Sequence, residues 1–284
     1  MTTTLRPSAA ERTEPDGALA RDFAVCVNGR PVGTVVVSAS AAGEDGRRSG
    51  RINQLTIHQG ERGRGRGTVA ALAAEEVLRD WNCHGARVEF PENADTPAAL
   101  RFATALGYTV RSRNMVKEMP AEPPALPLGT VVAQLDEETF PAWVADCTAG
   151  YAAELANAGM PRAAARARAD RDLADLLPEG LHTPATALRR LAVDGETVGT
   201  LWVAHNGPTR PDGNPQAWVY DVEVEEGHRG RGHGRTLMLL AERETLAAGQ
   251  PRLGLNVFAD NVPANALYRS LGYEVYLTSL FKEL

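Results

Sequence analysis

Two carboxylates stand two residues apart in Val219-Tyr-Asp-Val-Glu-Val224, and a loop rich in arginine and glycine follows almost at once. On a strand, Asp221 and Glu223 share one face while Tyr220, Val222 and Val224 take the other. A strand inside a sheet rarely turns two carboxylates into a core, so this face reads as the wall of a polar cleft. The loop, Arg229-Gly-Arg-Gly-His-Gly234 with Arg235 next, has the form Arg-x-x-Gly-x-Gly and opens a predicted helix. The first amides of a helix lack intrahelical acceptors and its dipole is positive there, so such a loop suits an anion. Glycine admits close backbone approach, and Arg229, Arg231 and Arg235 add charge toward a phosphate. His228 and His233 flank the loop and read as surface histidines.

The loop occurs twice. Glu61-Arg-Gly-Arg-Gly-Arg-Gly67 matches His228-Arg-Gly-Arg-Gly-His-Gly234. Further on, Leu106-Gly-Tyr-Thr-Val-Arg-Ser-Arg-Asn-Met-Val-Lys-Glu-Met119 matches the chain end from Leu271 to Leu284 at six of fourteen positions. Lys117 and Lys282, the two lysines of the chain, occupy one position of this repeat. Arg62 to Leu106 spans 44 residues and Arg229 to Leu271 spans 42, so two related units lie in tandem. A dinucleotide-binding loop would need an acid ending a strand about twenty residues on. A P-loop would need Gly-Lys-Ser/Thr, and neither lysine is near.

The elements that must position these residues are legible in the second unit. A strand over 130–135, Ala-rich helices over 140–155 and 161–176, and strands over 187–193 and 198–204 around the hairpin signal Asp194-Gly195 are expected. A strand over 218–224, the loop, a helix over 236–248, a strand over 253–257, a helix over 264–271 and a final strand from Tyr273 complete it. The first unit repeats the later part, with a hairpin at Asn28-Gly29, and has no counterpart of Thr130–Leu176. This order predicts an α/β fold, an α+β mixed sheet in two tandem domains with the first truncated. The expected division is a mobile tail over 1–18, a domain over 19–119, a Pro-rich linker over 120–128 and a complete domain over 129–284. Pro120, Pro123, Pro124 and Pro127 mark the linker.

With Asn261-Val-Pro-Ala264 leading into Ala266-Leu-Tyr-Arg-Ser-Leu-Gly-Tyr273, the chain resembles the GNAT superfamily of N-acetyltransferases, closely over 129–284 and partly over 20–119. The resemblance implies acetyl-CoA as the acyl donor. Its pyrophosphate would lie on Arg229, Gly230, Arg231, Gly232, His233, Gly234 and Arg235, and its pantetheine along the strand edge at Val222 and Val224. The matching first-unit residues are Leu55, Ile57, Arg62, Gly63, Arg64, Gly65, Arg66 and Gly67. Asn261 would hold cofactor or helix. Tyr268 would donate a proton to the leaving thiolate, and Glu223, with Asp221 next, would be the base, a water relay being the other route. Some members that modify protein N-termini carry a glutamate where Asn256 stands, and asparagine is no base. In the first unit Gln54 and Thr56 replace Asp221 and Glu223, and Ala103 replaces Tyr268, so catalysis is expected in the second unit.

The implied activity is acetyl transfer to a primary amine of a small molecule or short peptide. Alternatives are a protein N-terminal acetyltransferase, a tandem enzyme similar to mycothiol synthase, or a non-catalytic acyl-CoA-binding regulatory module. Glu154, Asp170, Asp172, Asp175 and Glu179 either draw a cationic amine or form a solvated helix face. Among 284 residues, 30 basic and 36 acidic side chains give a net charge of -6, against a nucleic-acid partner. No apolar run suits a membrane span, the three cysteines form neither a disulfide framework nor a metal cluster, and a cytoplasmic protein is expected. Homodimer formation stays open.

Overall fold

The computed structural model describes residues 2–43, 45–157, 160–210 and 212–284. Thirteen strands and six α-helices occur among them. They run β1 (Thr3–Pro7), β2 (Arg12–Thr13), β3 (Leu19–Val27), β4 (Arg30–Ala39), β5 (Arg48–Ile57), α1 (Arg66–Asp80), β6 (Cys83–Pro91), α2 (Thr96–Ala105) and β7 (Thr109–Glu118). There follow β8 (Thr130–Gln134), α3 (Phe140–Asn157), α4 (Arg162–Leu176), β9 (Thr186–Val193), β10 (Glu196–Ala204), β11 (Ala217–Val224), α5 (His233–Ala247), β12 (Arg252–Phe258), α6 (Val262–Ser270) and β13 (Glu274–Glu283). No described helix is long and apolar enough to cross a membrane.

Two compact units form, and each is completed by a strand from the other half of the sequence. Unit 1 is residues 1–111 with 277–284, and unit 2 is Ser112–Tyr276. In unit 1 the strand order is β1-β3-β4-β5-β6-β13, and in unit 2 it is β7-β12-β11-β10-β9-β8. The pairs β5–β6 and β11–β12 are parallel. The last strand pairs antiparallel with β6 from Leu277↔Pro91 to Glu283↔Gly85. Likewise β7 pairs with β12 from Ser112↔Phe258 to Glu118↔Arg252. The expected boundaries at 119 and 129 therefore do not divide the fold: residues 120–128 connect two strands of unit 2, and the Pro124 carbonyl accepts from Arg243 at 3.1 Å.

The two lysines hold the exchanged strands. Lys117 on β7 donates to Glu242 of α5 at 2.6 Å, and Lys282 on β13 donates to Glu75 of α1 at 2.7 Å. Both glutamates are fully buried, and each ammonium lies 5.7 Å from a tyrosine ring centroid, Tyr273 and Tyr108 respectively. A buried carboxylate needs such a partner, which explains why the two lysines share one position of the repeat.

Residues 3–18 are not the tail expected for 1–18; Met1 lies outside the described residues. The β-branched start pairs with β3 from Thr3↔Val27 to Pro7↔Phe23, as β8 pairs with β9. What unit 1 lacks is therefore the helix pair α3–α4, not the leading strand. Both hairpin turns form as expected, with positive φ at Asn28 (47°), Gly29 (82°), Asp194 (52°) and Gly195 (85°).

Candidate active site

In unit 2 the sheet opens beside the arginine–glycine loop. The rungs between β11 and β12 run only from Ala217↔Leu253 to Val219↔Leu255. Beyond them, Asp221–Val224 keep β10 as a neighbour, and no rung joins their other edge to β12. A bulge marks the divergence: Trp202 faces Asp221 and Val203 faces Val219, so Tyr220 is the extra residue. The bulge also corrects the simple alternation expected for this strand. Tyr220 packs near Trp202, ring centroids 4.8 Å apart, on the side of Asp221 and Glu223, while Val222 and Val224 pack with Val219 in the core under α5.

The loop is tied to the end of that open edge. Arg229 Nε donates to the Val224 carbonyl at 3.0 Å. Gly230 and Gly232 have φ of 77° and 90°, and a Cβ on either would meet nothing within 4 Å. Left-handed backbone, not crowding, therefore demands glycine here. The helix begins at His233, so the amides of its first turn point out of the loop. Arg235 reaches Ser270 at 2.5 Å. The Asn261 side-chain oxygen accepts from Ala264 N at 3.1 Å, so of its two expected roles the geometry carries the capping of α6.

Acid chemistry gathers around the open end of β11, where Asp221, Glu223, Glu154 of α3 and Tyr268 of α6 act on one another electrostatically. One carboxylate oxygen of Asp221, Oδ2, is shielded from solvent and finds no hydrogen-bond partner among the described residues. Burial, then the charges of Glu223 and Glu154, raise the Asp221 carboxyl to about 7. Tyr268 is raised to about 12 by burial, then by Asp221 and Glu154. The Cys147 thiol of α3 is pushed up by burial and by the same three carboxylates. Glu223 is exposed and lies 3.9 Å from the Arg229 guanidinium. The acid run read along the helices divides: Asp170 and Asp172 pair with Arg166 and Arg168 one turn away, whereas Glu154 acts on the cleft. A cavity of about 220 Å³ under α3 is lined by Trp143, Asp146, Arg190, Thr200, Glu223 and Glu225 among others.

Unit 1 repeats the frame. Arg62 Nε donates to the Ile57 carbonyl at 2.9 Å, Gly63 and Gly65 have φ of 70° and 71°, and Asn53 is the bulged residue of β5. Rungs to β6 stop at Arg51↔Arg87. Its loop differs in charge. Glu61 contacts the buried Arg66 and lies 2.5 Å from Arg30 and 3.9 Å from Arg64. Ala103 is buried, and Gln54 and Thr56 are exposed on a face without covering helices.

A mixed sheet opened at a bulge, with an arginine–glycine loop starting a helix beside the opening, defines an acyltransferase fold. The acetyltransferase (GNAT) family matches residues 4–108 and 150–273, and the chain belongs to that family, as an N-acetyltransferase of tandem form. Mycothiol acetyltransferase from Saccharomonospora viridis is 30% identical over 94% of this chain and 87% of that protein. A GCN5-related N-acetyltransferase from Sphaerobacter thermophilus shares the fold with a TM-score of 0.57 at 20% identity, over 92% of this chain and 80% of that one. A tandem GNAT protein from the clavulanic acid biosynthesis pathway gives 0.50 at 20% identity, over 95% and 85%.

Proposed function

We propose that unit 2 transfers an acetyl group from acetyl-CoA to a primary amine of a small molecule or short peptide, and that unit 1 does not catalyse. The observation that carries this reading is Asp221: a carboxylate with one shielded, unpartnered oxygen, poised near neutrality and felt by Tyr268. Acetyl-CoA supplies the acyl thioester, and the residues present fit it. The open edge at Val222 and Val224 offers backbone groups to a pantetheine, and the first-turn amides of α5 with Arg231 suit a pyrophosphate. In unit 1, Leu55 and Ile57 with Arg62–Gly67 offer the same frame, with Glu61 among its arginines.

An alkyl ammonium entering the cleft meets Glu154, Glu223 and Asp221, and must lose a proton before it can attack. Asp221 takes that proton, in preference to Glu223, which is exposed and lies beside the Arg229 guanidinium. The amine nitrogen then bonds the carbonyl carbon, the C–S bond breaks with its electron pair going to sulfur, and the second proton that nitrogen sheds in becoming the amide ends on that sulfur as CoA thiol. Tyr268 donates a hydrogen bond to that sulfur. Its phenol is a weaker acid than a thiol, about 12 against roughly 8.5, so unaided proton transfer would run uphill. Asp221 is one of the charges that hold it there. Protonation of Asp221 removes that charge, so uptake of the amine proton makes Tyr268 a better donor at the moment sulfur departs.

Whole-length similarity to a mycothiol acetyltransferase favours a narrower reading, an acceptor of the mycothiol type. A protein N-terminal acetyltransferase is disfavoured by Asn256, whose amide is tied to β7. Three free cysteines support a reducing compartment, in keeping with the cytoplasm. The test is an amine panel including the mycothiol precursor, scored by CoA thiol release and product mass. Activity in the wild type, its loss in Asp221→Asn and its retention in Gln54→Ala support the reading; full activity in Asp221→Asn overturns the assignment.

A further inference from the structure

The strand that the first half of the sequence contributes to unit 2 reaches the acceptor side of the cleft. Asn256 is the first residue of β12 beyond its last rung with β11, level with the bulge at Tyr220. Leu253, Leu255 and Val257 pack in the core under α5, so Asn256 takes the opposite face. Gly254, two residues before it, abuts the Trp218 ring, which fixes that face as the one carrying Trp218. Ala217, Val219, Val222 and Val224 point into the core, so Asp221 and Glu223 lie on the Trp218 face as well. Asn256 and Asp221 thus flank the opening on one side of the sheet.

Three acceptors of β7 engage the Asn256 amide nitrogen: Asn114 Oδ1 at 2.6 Å, directly opposite in register, Ser112 Oγ at 3.2 Å and the Arg113 carbonyl at 3.5 Å. A backbone carbonyl only accepts, so this end of the carboxamide must be the NH₂. With the nitrogen held against β7, the oxygen is left for another donor, and the side chain is exposed.

We infer that Asn256 Oδ1 accepts a hydrogen bond from the N–H of the acceptor amine, and that Asn114, with Ser112, is the positioning residue that aims it. This rests on the amine-acetylating reading above. The group recognised is an amine or ammonium that donates to a neutral carbonyl on one side while Asp221 removes a proton on the other. The half of the sequence without catalytic residues would thereby shape the acceptor site through β7.

The experiment is steady-state kinetics on the full chain with the best amine of the panel, varying acceptor and acetyl-CoA separately, with thermal unfolding in parallel. Asn114→Leu removes the acceptor for the Asn256 amide and raises acceptor KM about tenfold, as expected for one lost orienting hydrogen bond, with acetyl-CoA KM within about twofold. Asn114→Asp still accepts from that amide and restores acceptor KM to the wild-type value or below. Ser112→Ala, a milder change, raises acceptor KM about threefold. An unmoved acceptor KM in Asn114→Leu and Ser112→Ala overturns the inference, as does an equal rise in acetyl-CoA KM or failure of Asn114→Asp to rescue. A wild type that acetylates no amine overturns the underlying reading instead, and this inference with it.

Discussion

Unit 1 and unit 2 share their frame and differ in their chemistry. Each has the bulged strand, the early end of the parallel rungs, the arginine bonded to the strand-end carbonyl, two left-handed glycines and a Lys–Glu clamp on an incoming strand. What unit 1 lacks is the proposed acid–base set and its cover: Asp221, Glu223 and Tyr268 are Gln54, Thr56 and Ala103, and no described helices stand where α3 and α4 cover unit 2. The frame is a backbone property, satisfied by glycine, a bulge and one guanidinium, and so survives loss of the side chains that do acid–base work. The first half of the sequence keeps a second use in any case, because β7 completes the sheet of unit 2.

The largest expected break in the comparison is at Asp221. Asp221→Asn should lower kcat/KM about a thousandfold, within the range of a lost general base, whereas Gln54→Ala in unit 1 should leave it within about twofold. The wild-type kcat/KM should rise with pH through about 7 as Asp221 loses its proton, and the variant should be flat there. Stability moves oppositely. The folded-state carboxyl is raised from 3.8 to about 7, so the folded chain holds a proton the unfolded chain has already lost. Stability from this group therefore falls as pH climbs from about 4 to about 7, and thermal midpoints of Asp221→Asn should lack that decline.

The clamps should behave alike in both units. Lys117→Met leaves Glu242 buried without its partner, and Lys282→Met does the same to Glu75. Each should cost about 3 kcal/mol in urea unfolding, the cost of orphaning a buried charge. A large loss for one lysine and none for the other would show that the two exchanged strands are not equivalent.

Tyr268→Phe should lower kcat about thirtyfold with acetyl-CoA KM little changed, because the phenol is engaged only as charge develops on sulfur. Introducing tyrosine at the matching place, Ala103→Tyr, should add no second active unit, since Gln54 and Thr56 supply no base. Product formation per chain in a Tyr268→Phe, Ala103→Tyr double variant measures this; recovery of activity would show that unit 1 lacks only a proton donor.

Much of this was legible in the chain. Local signals fixed the two hairpin positions, both loops, and the helices expected over 140–155 and 161–176, which form over 140–157 and 162–176, because each depends on neighbouring residues. The strand exchange was not legible: Leu106–Met119 and Leu271–Leu284 carry the same Leu-Gly-Tyr start and the same Lys-Glu end, so either fits either sheet edge. The order of the two carboxylates was also hidden. Period two places Asp221 and Glu223 on one face, but only the fold shows Asp221 shielded and Glu223 exposed beside Arg229. The Asn114–Asn256 contact joins residues 142 apart and has no local signal.

The smallest effect separates frame from ligand most cleanly. Arg62 and Arg229 make the same bond to the same carbonyl position, so removing either should cost about 1 kcal/mol of stability, the worth of one hydrogen bond. In unit 2 the guanidinium also stands at the mouth of the loop, 3.9 Å from Glu223, where a pyrophosphate would pass. Arg229→Ala should therefore add a severalfold rise in acetyl-CoA KM, about what a charge-assisted contact gives at an exposed site, while Arg62→Ala leaves that KM unmoved. Equal stability losses with unequal KM shifts would mark the arginine as a brace in both units and a ligand in one. Equal KM shifts would mean that the loop of unit 1 also takes part in turnover, and the division of labour drawn between the units would fail.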